Sequence, residues 1–177
     1  MKRYKHSFLT GRFQPFHNGH RSLIDKMLRE TVNSTIIVGS AQESRTEKNP
    51  FNTEERFLML DNIYGHGKNI RMFALDNIPN DDEWYGHVLK NIKNNCFPFG
   101  KPEAFYCGGL EEASWFDKGE LAIEILDRKK QIGYFDISAT SIRNMIKNHD
   151  DSWKKFIPEE NLELVEKLLT QIPNNPS

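Results

Sequence analysis

The residues best suited to bind a ligand or catalyse a reaction lie in one segment, GRFQPFHNGH at 11–20. Gly11 and the proline of this segment disfavour regular backbone, which predicts a turn after a short apolar strand. His17 and His20 stand three positions apart, so the first turn of a following helix would place both imidazoles on one side. Two imidazoles that donate hydrogen bonds, beside the permanent cation of Arg12, suit a polyphosphate.

A helix that begins directly after this turn favours the same interpretation. Its first N–H groups are unpaired, its dipole end is positive, and Gly19 would let a phosphate approach the backbone closely. Two alternatives compete: His17 and His20 bind zinc, or they are ordinary loop and helix residues. Zinc requires further Cys, His or carboxylate ligands at close spacing, and the neighbouring sequence offers none. The strand–turn–helix context disfavours chance, so we expect an anion site.

The composition restricts the partners of this site. The chain has 24 basic and 25 acidic residues, so it creates no general field that would hold nucleic acid or an anionic membrane surface. No apolar run is long enough to predict a membrane span. Two cysteines without a signal peptide indicate thiols of a reducing compartment rather than a disulfide framework. We therefore expect a cytoplasmic protein.

The elements that must position the turn alternate between strand and helix patterns. Strands are predicted at HSFLT, STIIVGS, IRMFAL, PEAFYCG and LAIEIL, and helices at 19–30, 53–64, 82–94 and 110–116, after Ser138, and from Pro158 onward. Thr53 is the expected N-cap of the second helix. The alternation predicts an α/β fold, a parallel sheet with helices on both faces, in one domain over 1–172 with a loose tail at 173–177. Ligands of such sheets bind where the strand order reverses, so the turn should lie there.

Two motifs at opposite ends of the chain carry a family resemblance. GRFQPFHNGH resembles the HxGH signature of the nucleotidyltransferase superfamily, and ISATSIR at 137–143 resembles its second signature. The segments GSAQES, NPFNTEER, DNIPNDDEWYGHV and FYCGG are similar, in order and spacing, to the archaeal-type nicotinamide mononucleotide (NMN) adenylyltransferases. The resemblance runs from about Phe8 to Pro158. It implies a Rossmann-like nucleotidyltransferase fold and transfer of AMP from ATP to NMN, which gives NAD and pyrophosphate.

The resemblance also implies roles around the triphosphate. The histidines bind the ATP phosphates, Arg143 reaches the β- and γ-phosphates, and the second-motif helix adds hydroxyl and N–H donors at its start. The expected catalytic residues are Arg12, His17, His20, Lys48 and Arg143, and the expected ATP-binding residues are Gly11, Arg12, Phe13, His17, Gly19, His20, Ser138, Thr140 and Arg143. Neither motif contains Asp or Glu, so Mg²⁺ would be carried mainly by the phosphates and no protein metal ligand is expected.

The second substrate is expected beside Trp84, because an indole can stack on the cationic pyridinium of NMN and contribute about 1–2 kcal/mol. The resemblance implies further NMN contacts from Gln14, Ser40, Asn80 and Asp81. Taken without the resemblance, Trp84 is better explained as a core aromatic of an amphipathic helix.

Two other segments also have a plainer explanation. In the polar loop from Ser40 to Asn52, Lys48 stands where relatives place a basic residue near the phosphates, and Arg45 is a second candidate. The loop is also compatible with a solvated charge run. ISATSIR alone is compatible with a capped surface helix. It also has Ala139 where relatives often carry Gly or Ser.

We therefore expect an enzyme that uses ATP and NMN, binds neither nucleic acid nor membrane, and self-associates as its relatives do. Two other hypotheses remain: a nucleotidyltransferase that acts on pantetheine phosphate, FMN or a phospho-alcohol, and a nucleotide sensor without turnover. Trp84 and the GSAQ segment disfavour the first, and the complete set of His17, His20 and Arg143 disfavours the second. The preference between NMN and its nicotinic acid analogue stays open.

Overall fold

The computed structural model describes residues 1–65, 67–126 and 137–172, without the side chain of Asp81. Its strands form one parallel sheet in the order β3-β2-β1-β4-β5. The strands are β1 (Tyr4–Gly11), β2 (Thr31–Val38), β3 (Ile70–Ala74), β4 (Ala104–Cys107) and β5 (Ala122–Ile125). The helices are α1 (Asn18–Glu30), α2 (Thr53–Tyr64), α3 (Asp81–Asn95), α4 (Leu110–Phe116), α5 (Ala139–Lys147) and α6 (Glu159–Gln171), with a 3₁₀ turn at Asp151–Phe156.

Neighbouring side chains of β1 belong to two separate cores. Leu9 packs in the layer that contains α1, α2, α5 and α6, whereas Phe8 packs in the layer of α3 and α4. Because both faces of the sheet are covered, a central strand can be apolar without alternation, as Ile36, Ile37 and Val38 of β2 are. The predicted α/β fold, a parallel sheet with helices on both faces, is confirmed.

The strand order reverses between β1 and β4. The chain passes outward from β1 through β2 to β3, and then returns to β4 and β5 on the other side of β1. The carboxyl ends of β1 and β4 therefore open a crevice, which is where parallel sheets bind ligands. The turn that joins β1 to α1 lies at this crevice, as predicted.

The predicted elements are observed, but the predicted cap of α2 is wrong. Asn52, not Thr53, is the N-cap: its side-chain oxygen accepts the N–H of Glu55 at 2.9 Å, and the Glu55 carboxylate accepts the Asn52 N–H at 2.8 Å. This reciprocal capping box satisfies two N–H groups at once. Thr53 instead donates its hydroxyl to the Ala41 carbonyl at 2.8 Å.

Two expectations concern the whole chain. The predicted loose tail, 173–177, lies outside the described residues. Among the helices that the structure describes, none is long and apolar enough to cross a membrane.

Candidate active site

The turn after β1 is built around Phe13. This residue has a φ of +52°, and its ring packs under Gly11 so closely that a Cβ at Gly11 would lie 2.7 Å from the ring. The Gly11 carbonyl accepts the N–H of Gly39 at 2.9 Å, which ties the turn to the end of β2. Gly11 is the last residue of β1. Because it has no side chain, the ring of Phe13 can pack directly against its backbone.

His17 is the N-cap of α1 and forms a capping box with His20. The Nδ1 atom of His17 accepts the N–H groups of Gly19 at 3.1 Å and His20 at 3.4 Å, and the Nδ1 atom of His20 accepts the His17 N–H at 3.3 Å. The two rings stack with their centroids 3.7 Å apart. With both Nδ1 atoms as acceptors, each neutral ring carries its proton on Nε2. The capping box thus orients two Nε2–H donors side by side.

This arrangement changes the expected role of the helix start. Two of the N–H groups predicted to meet a phosphate donate to His17 instead. A Cβ at Gly19 would lie 2.9 Å from Cε1 of His17, so the glycine makes room for the capping imidazole. A direct approach of phosphate to Gly19 stays a prediction.

The second motif reaches the first through Arg143. One guanidinium nitrogen donates to the Gln14 carbonyl at 2.8 Å and another to the Thr140 hydroxyl at 3.1 Å. Ser138 caps α5 as predicted, since its hydroxyl accepts the Ser141 N–H at 3.0 Å. The sheet therefore brings together two segments that lie more than a hundred positions apart in the sequence.

The two motifs line one opening at the carboxyl ends of β1 and β4, here called the switch-point cleft. Its walls are the β1–α1 turn with both histidines, Gly108 and Glu112 beside β4, and Ser138–Thr140 with Arg143. The enclosed space is about 170 Å³, below the roughly 300–1,000 Å³ of most small-molecule pockets, so a nucleotide would extend beyond it.

Positive charge accumulates in this cleft. Burial lowers the pKa of Arg143, the charge of Arg12 lowers it further, and Glu47 acts in the opposite direction. The hydrogen-bond acceptors of Arg143 are a carbonyl and a hydroxyl, neither of which neutralises its charge. Two guanidinium groups that repel one another beside two imidazoles form a favourable environment for a polyanion.

The described residues of the cleft offer little carboxylate to a metal ion. Among the described residues that line it, Glu112 is the one acid, and its carboxylate accepts the Gly108 N–H at 2.9 Å. Nowhere in the described part of the chain do three His, Cys, Asp or Glu side chains come together as a metal site. This donor set fits a divalent ion that is held mainly by phosphate oxygens and water.

The residues predicted for NMN lie mostly outside the described lining of the cleft. Gln14 lines it but is buried, and its amide makes two hydrogen bonds to the main chain of Phe51, at 2.8 and 2.9 Å. Ser40 has a φ of +48° at the end of β2, and its hydroxyl accepts a hydrogen bond from Asn77 at 2.9 Å. Their contacts with NMN stay predictions.

The predicted NMN residues of α3 occupy its first turn. Asn80 is the N-cap: its side chain accepts the Asp82 N–H at 3.1 Å and donates to Glu83 at 2.9 Å. Trp84 is half-buried against the α3–α4 core, with its ring 5.8 Å from that of His87. The side chain of Asp81 lies outside the described part of the structure. The core interpretation of Trp84 is therefore partly correct, and its stacking on NMN stays a prediction.

The loop between β2 and α2 separates its basic residues by role. Arg45 is paired with Glu55 through two hydrogen bonds, at 2.6 and 3.0 Å, and so braces the loop. Lys48 is exposed. Glu47 forms a 2.7 Å ion pair with Lys147 of α5, which connects the loop to the second motif. Lys48 lies outside the described lining of the cleft, and its contact with phosphate stays a prediction.

Sequence reasoning missed two residues near the cleft. Glu112 was predicted only as part of the helix at 110–116, and Arg56 only as part of the helix at 53–64. Arg56 is fully buried and binds main-chain carbonyls of the β1–α1 turn and of the β2 end. An arginine one turn into a helix, on the face that packs against the sheet, was the available signal.

Fold and site together define a nucleotide-binding α/β protein of the nucleotidyltransferase type. A family model described as Cytidylyltransferase-like matches residues 8–145, and the chain belongs to this family. It is 33% identical to the nicotinamide-nucleotide adenylyltransferase of Picrophilus torridus over 157 aligned residues. The alignment covers 86% of this chain and 85% of the relative. The resemblance to archaeal-type NMN adenylyltransferases is confirmed.

Solved structures agree on the fold. A bifunctional NMN adenylyltransferase/ADP ribose pyrophosphatase from Francisella tularensis superposes with a TM-score of 0.73 at 22% identity, over 94% of this chain and 50% of that one. The same kind of Francisella protein has been solved with AMP and a manganese ion, with a TM-score of 0.60 at 23% identity over 97% of this chain and 57% of that one. A NadR protein in complex with NAD and AMP-PNP superposes with a TM-score of 0.60 at 26% identity, over 84% of this chain and 45% of that one. The chain spans about half the length of these solved chains.

Proposed function

We propose that this protein is an NMN adenylyltransferase, which transfers AMP from ATP to NMN in the synthesis of NAD. The observation that carries the proposal is the meeting of His17, His20 and Arg143 in one cleft at the switch point. The similarity to a curated nicotinamide-nucleotide adenylyltransferase over 86% of the chain supports the same activity.

The chemistry requires positioning and charge neutralisation more than proton transfer. An oxygen of the NMN phosphate, already ionised at neutral pH, attacks the α-phosphorus of ATP. The bond between that phosphorus and the bridging oxygen to the β-phosphorus breaks, and pyrophosphate leaves with the electron pair. The Nε2–H groups of His17 and His20 donate to the phosphates, and Arg12 and Arg143 neutralise charge that develops on the leaving group.

A divalent metal completes this proposal. Mg²⁺ is the ion we expect, carried by the phosphates of ATP, where it neutralises charge on the triphosphate. The role of the chain is to bind the phosphates around the ion through Arg12, Arg143 and the two histidines. Glu112, the one acid among the described residues of the cleft, is consistent with that arrangement.

The half-buried Trp84 is the proposed stacking partner of the pyridinium ring of NMN. Ser40, Asn80 and Asp81 belong to the same proposed substrate side, and Lys48 to the phosphate side. A cytoplasmic location, consistent with two buried free cysteines, and self-association complete the proposal.

The test is product formation by purified protein with ATP, Mg²⁺ and NMN. We expect NAD and pyrophosphate in equal amounts, measured by chromatography and by a coupled phosphate assay. Nicotinic acid mononucleotide, assayed in parallel, measures the preference between the two mononucleotides. Turnover with pantetheine phosphate, FMN or a phospho-alcohol but not with NMN would identify a different transferase. Binding of ATP and NMN without release of pyrophosphate would identify a sensor.

A further inference from the structure

Arg56 is the most completely engaged buried cation that the structure describes. Its side chain is fully buried in the first turn of α2. An arginine carries five N–H donors, and each has an acceptor here. Nε donates to the Asn52 carbonyl at 3.2 Å, Nη1 to the carbonyls of Arg12 at 3.1 Å and Gly39 at 2.8 Å, and Nη2 to the Ser40 carbonyl at 3.2 Å and the Thr53 hydroxyl at 3.0 Å.

None of these five acceptors is a carboxylate. Burial lowers the pKa of Arg56, while the more distant charges of Glu43 and Glu55 raise it, and an arginine stays protonated under these conditions. Its charge is therefore stabilised mainly by carbonyl dipoles. Burial of a cation destabilises the folded protein unless nearly all of its N–H groups have acceptors. The main chain around Arg56 must therefore keep each acceptor in place.

The acceptors belong to segments that serve opposite sides of the proposed site. Arg12 lies in the turn that supplies the phosphate-side cations. Ser40 lies in the loop after β2, and its hydroxyl is bound by Asn77, in the segment that leads to Trp84. Arg56 thus connects the main chains of the two sides through one rigid planar group.

We propose that Arg56 is a positioning residue that sets the distance between the ATP half and the NMN half of the site. This inference rests on the proposed function, since it concerns two substrates that must meet in line. Arg56 touches neither substrate. It acts through the main chains of Arg12 and Ser40, and displacement of reacting groups by about 1 Å can cost on the order of 100-fold in rate.

Lysine cannot replace this residue. An ammonium group has three donors, so Arg56→Lys keeps the charge but leaves at least two of the five acceptors without a hydrogen bond from this side chain. Thr53→Val is the milder variant, because it removes one acceptor of Arg56 together with the hydroxyl bond to Ala41.

Asn161→Ala is the matched control. Asn161 is also fully buried and donates to a main-chain carbonyl of α2, that of Met59, at 2.7 Å. It connects α6 to α2 and does not line the cleft. Its loss tests whether any damage to a buried anchor of α2 reduces activity.

The experiment measures kcat with both substrates saturating, the Kd of ATP alone and of NMN alone, and the melting temperature. For Arg56→Lys we expect kcat to fall by at least about tenfold, while each Kd stays within about threefold of wild type. Thr53→Val should lower kcat by about threefold with the same separation. Asn161→Ala should lower the melting temperature at least as far as Arg56→Lys does, with kcat unchanged.

Several results would overturn the proposal. They are a kcat of Arg56→Lys within about twofold of wild type, an equal loss of kcat in Asn161→Ala, or a loss of ATP affinity as large as the loss of kcat. If Arg56→Lys does not fold, Thr53→Val decides, and a wild-type kcat in that variant contradicts the proposal. A wild-type protein that forms no NAD would instead refute the proposed function.

Discussion

The protein treats charge in opposite ways at two places on the same sheet. In the switch-point cleft, Arg12 and Arg143 repel one another, and the hydrogen bonds of Arg143 go to neutral oxygens. On the α1 side of the sheet, a group of six residues pairs each charge with an opposite one. This group, here the Glu30–Glu124 network, consists of Arg3, Tyr4, Lys26, Glu30, Tyr106 and Glu124.

The network shows what charge does when it serves the fold. Lys26 lies 2.8 Å from Glu30 and 3.0 Å from Glu124, and both acids accept a tyrosine hydroxyl at 2.7 Å. In the cleft, the described hydrogen bonds of Arg143 go to neutral oxygens, and Glu47 is the acid that acts on its charge. From this difference we expect that the network contributes stability and that the positive charge of the cleft serves the proposed binding of ATP.

The largest expected effect comes from removing one imidazole donor from the cleft. Asn at position 20 can keep the acceptor that caps α1 but lacks the Nε2–H donor, whereas Gln keeps a donor at that distance. We expect His20→Asn to lower kcat about 100-fold, a loss of about 3 kcal/mol in transition-state stabilisation, and His20→Gln to lose less than tenfold. Steady-state kinetics and a melting curve measure both. Equal, small losses in the two variants would refute the role of His20.

The comparison is tested by removing one cation from the switch-point cleft and one from the Glu30–Glu124 network. Arg143→Met should reduce kcat/KM for ATP about 100-fold and change the free energy of unfolding by less than about 1 kcal/mol, because a repelled charge is lost with its hydrogen bonds. Lys26→Met should do the reverse: it removes the more buried of the two cations that pair with Glu30 and Glu124, leaves Arg3 in place, costs about 2 kcal/mol and keeps the kinetics of wild type. Urea unfolding and kinetics on both variants decide. A fall in activity with Lys26→Met would erase the distinction.

A smaller effect is expected at the NMN side. Trp84→Ala should raise the KM for NMN about tenfold and change kcat less than threefold, since stacking binds the substrate without taking part in bond making. Trp115 on α4 is exposed at 44% and provides a matched control, for which Trp115→Ala should leave both constants unchanged. A lower melting temperature with an unchanged KM would show that Trp84 acts only as a core residue and does not bind NMN.

The smallest expected effect is the loss of the stability that Glu30 contributes when the pH is lowered. Burial opposes ionisation of Glu30, but hydrogen bonds from Lys26 and Tyr106 outweigh it and leave its pKa below the ordinary value of 4.5. Its stabilising contribution is therefore complete above pH 4.5 and is lost as the pH falls through the lowered value. Tyr106→Phe should cost about 1 kcal/mol at pH 7 and less at pH 3, measured by urea midpoints. A pH-independent difference would exclude the link to Glu30.

Local patterns predicted the elements and the first half of the cleft, whereas the second half, at ISATSIR, was predicted from the family resemblance. Strand and helix periodicity gave the alternating βα order, and with the turn residues this placed His17 and His20 at the switch point. The capping box of α2 was missed because Thr53 was weighed without the Asn52–Glu55 pair. Arg56 and Glu112 were missed for a different reason. The partners of Arg56 lie in other segments, which the pairing of β1 with β2 brings near, and Glu112 lies at the cleft because β4 pairs with β1.

A crystal structure with NMN and α,β-methylene ATP, whose α–β bridge cannot be cleaved, would locate the triphosphate. We predict that its β- and γ-phosphates lie about 3 Å from the guanidinium of Arg143 and from Nε2 of His20, with the NMN phosphate directed at the α-phosphorus. A triphosphate bound outside the switch-point cleft, with Arg143 and His20 in contact with solvent only, would contradict the assignment of the two motifs to one ATP site.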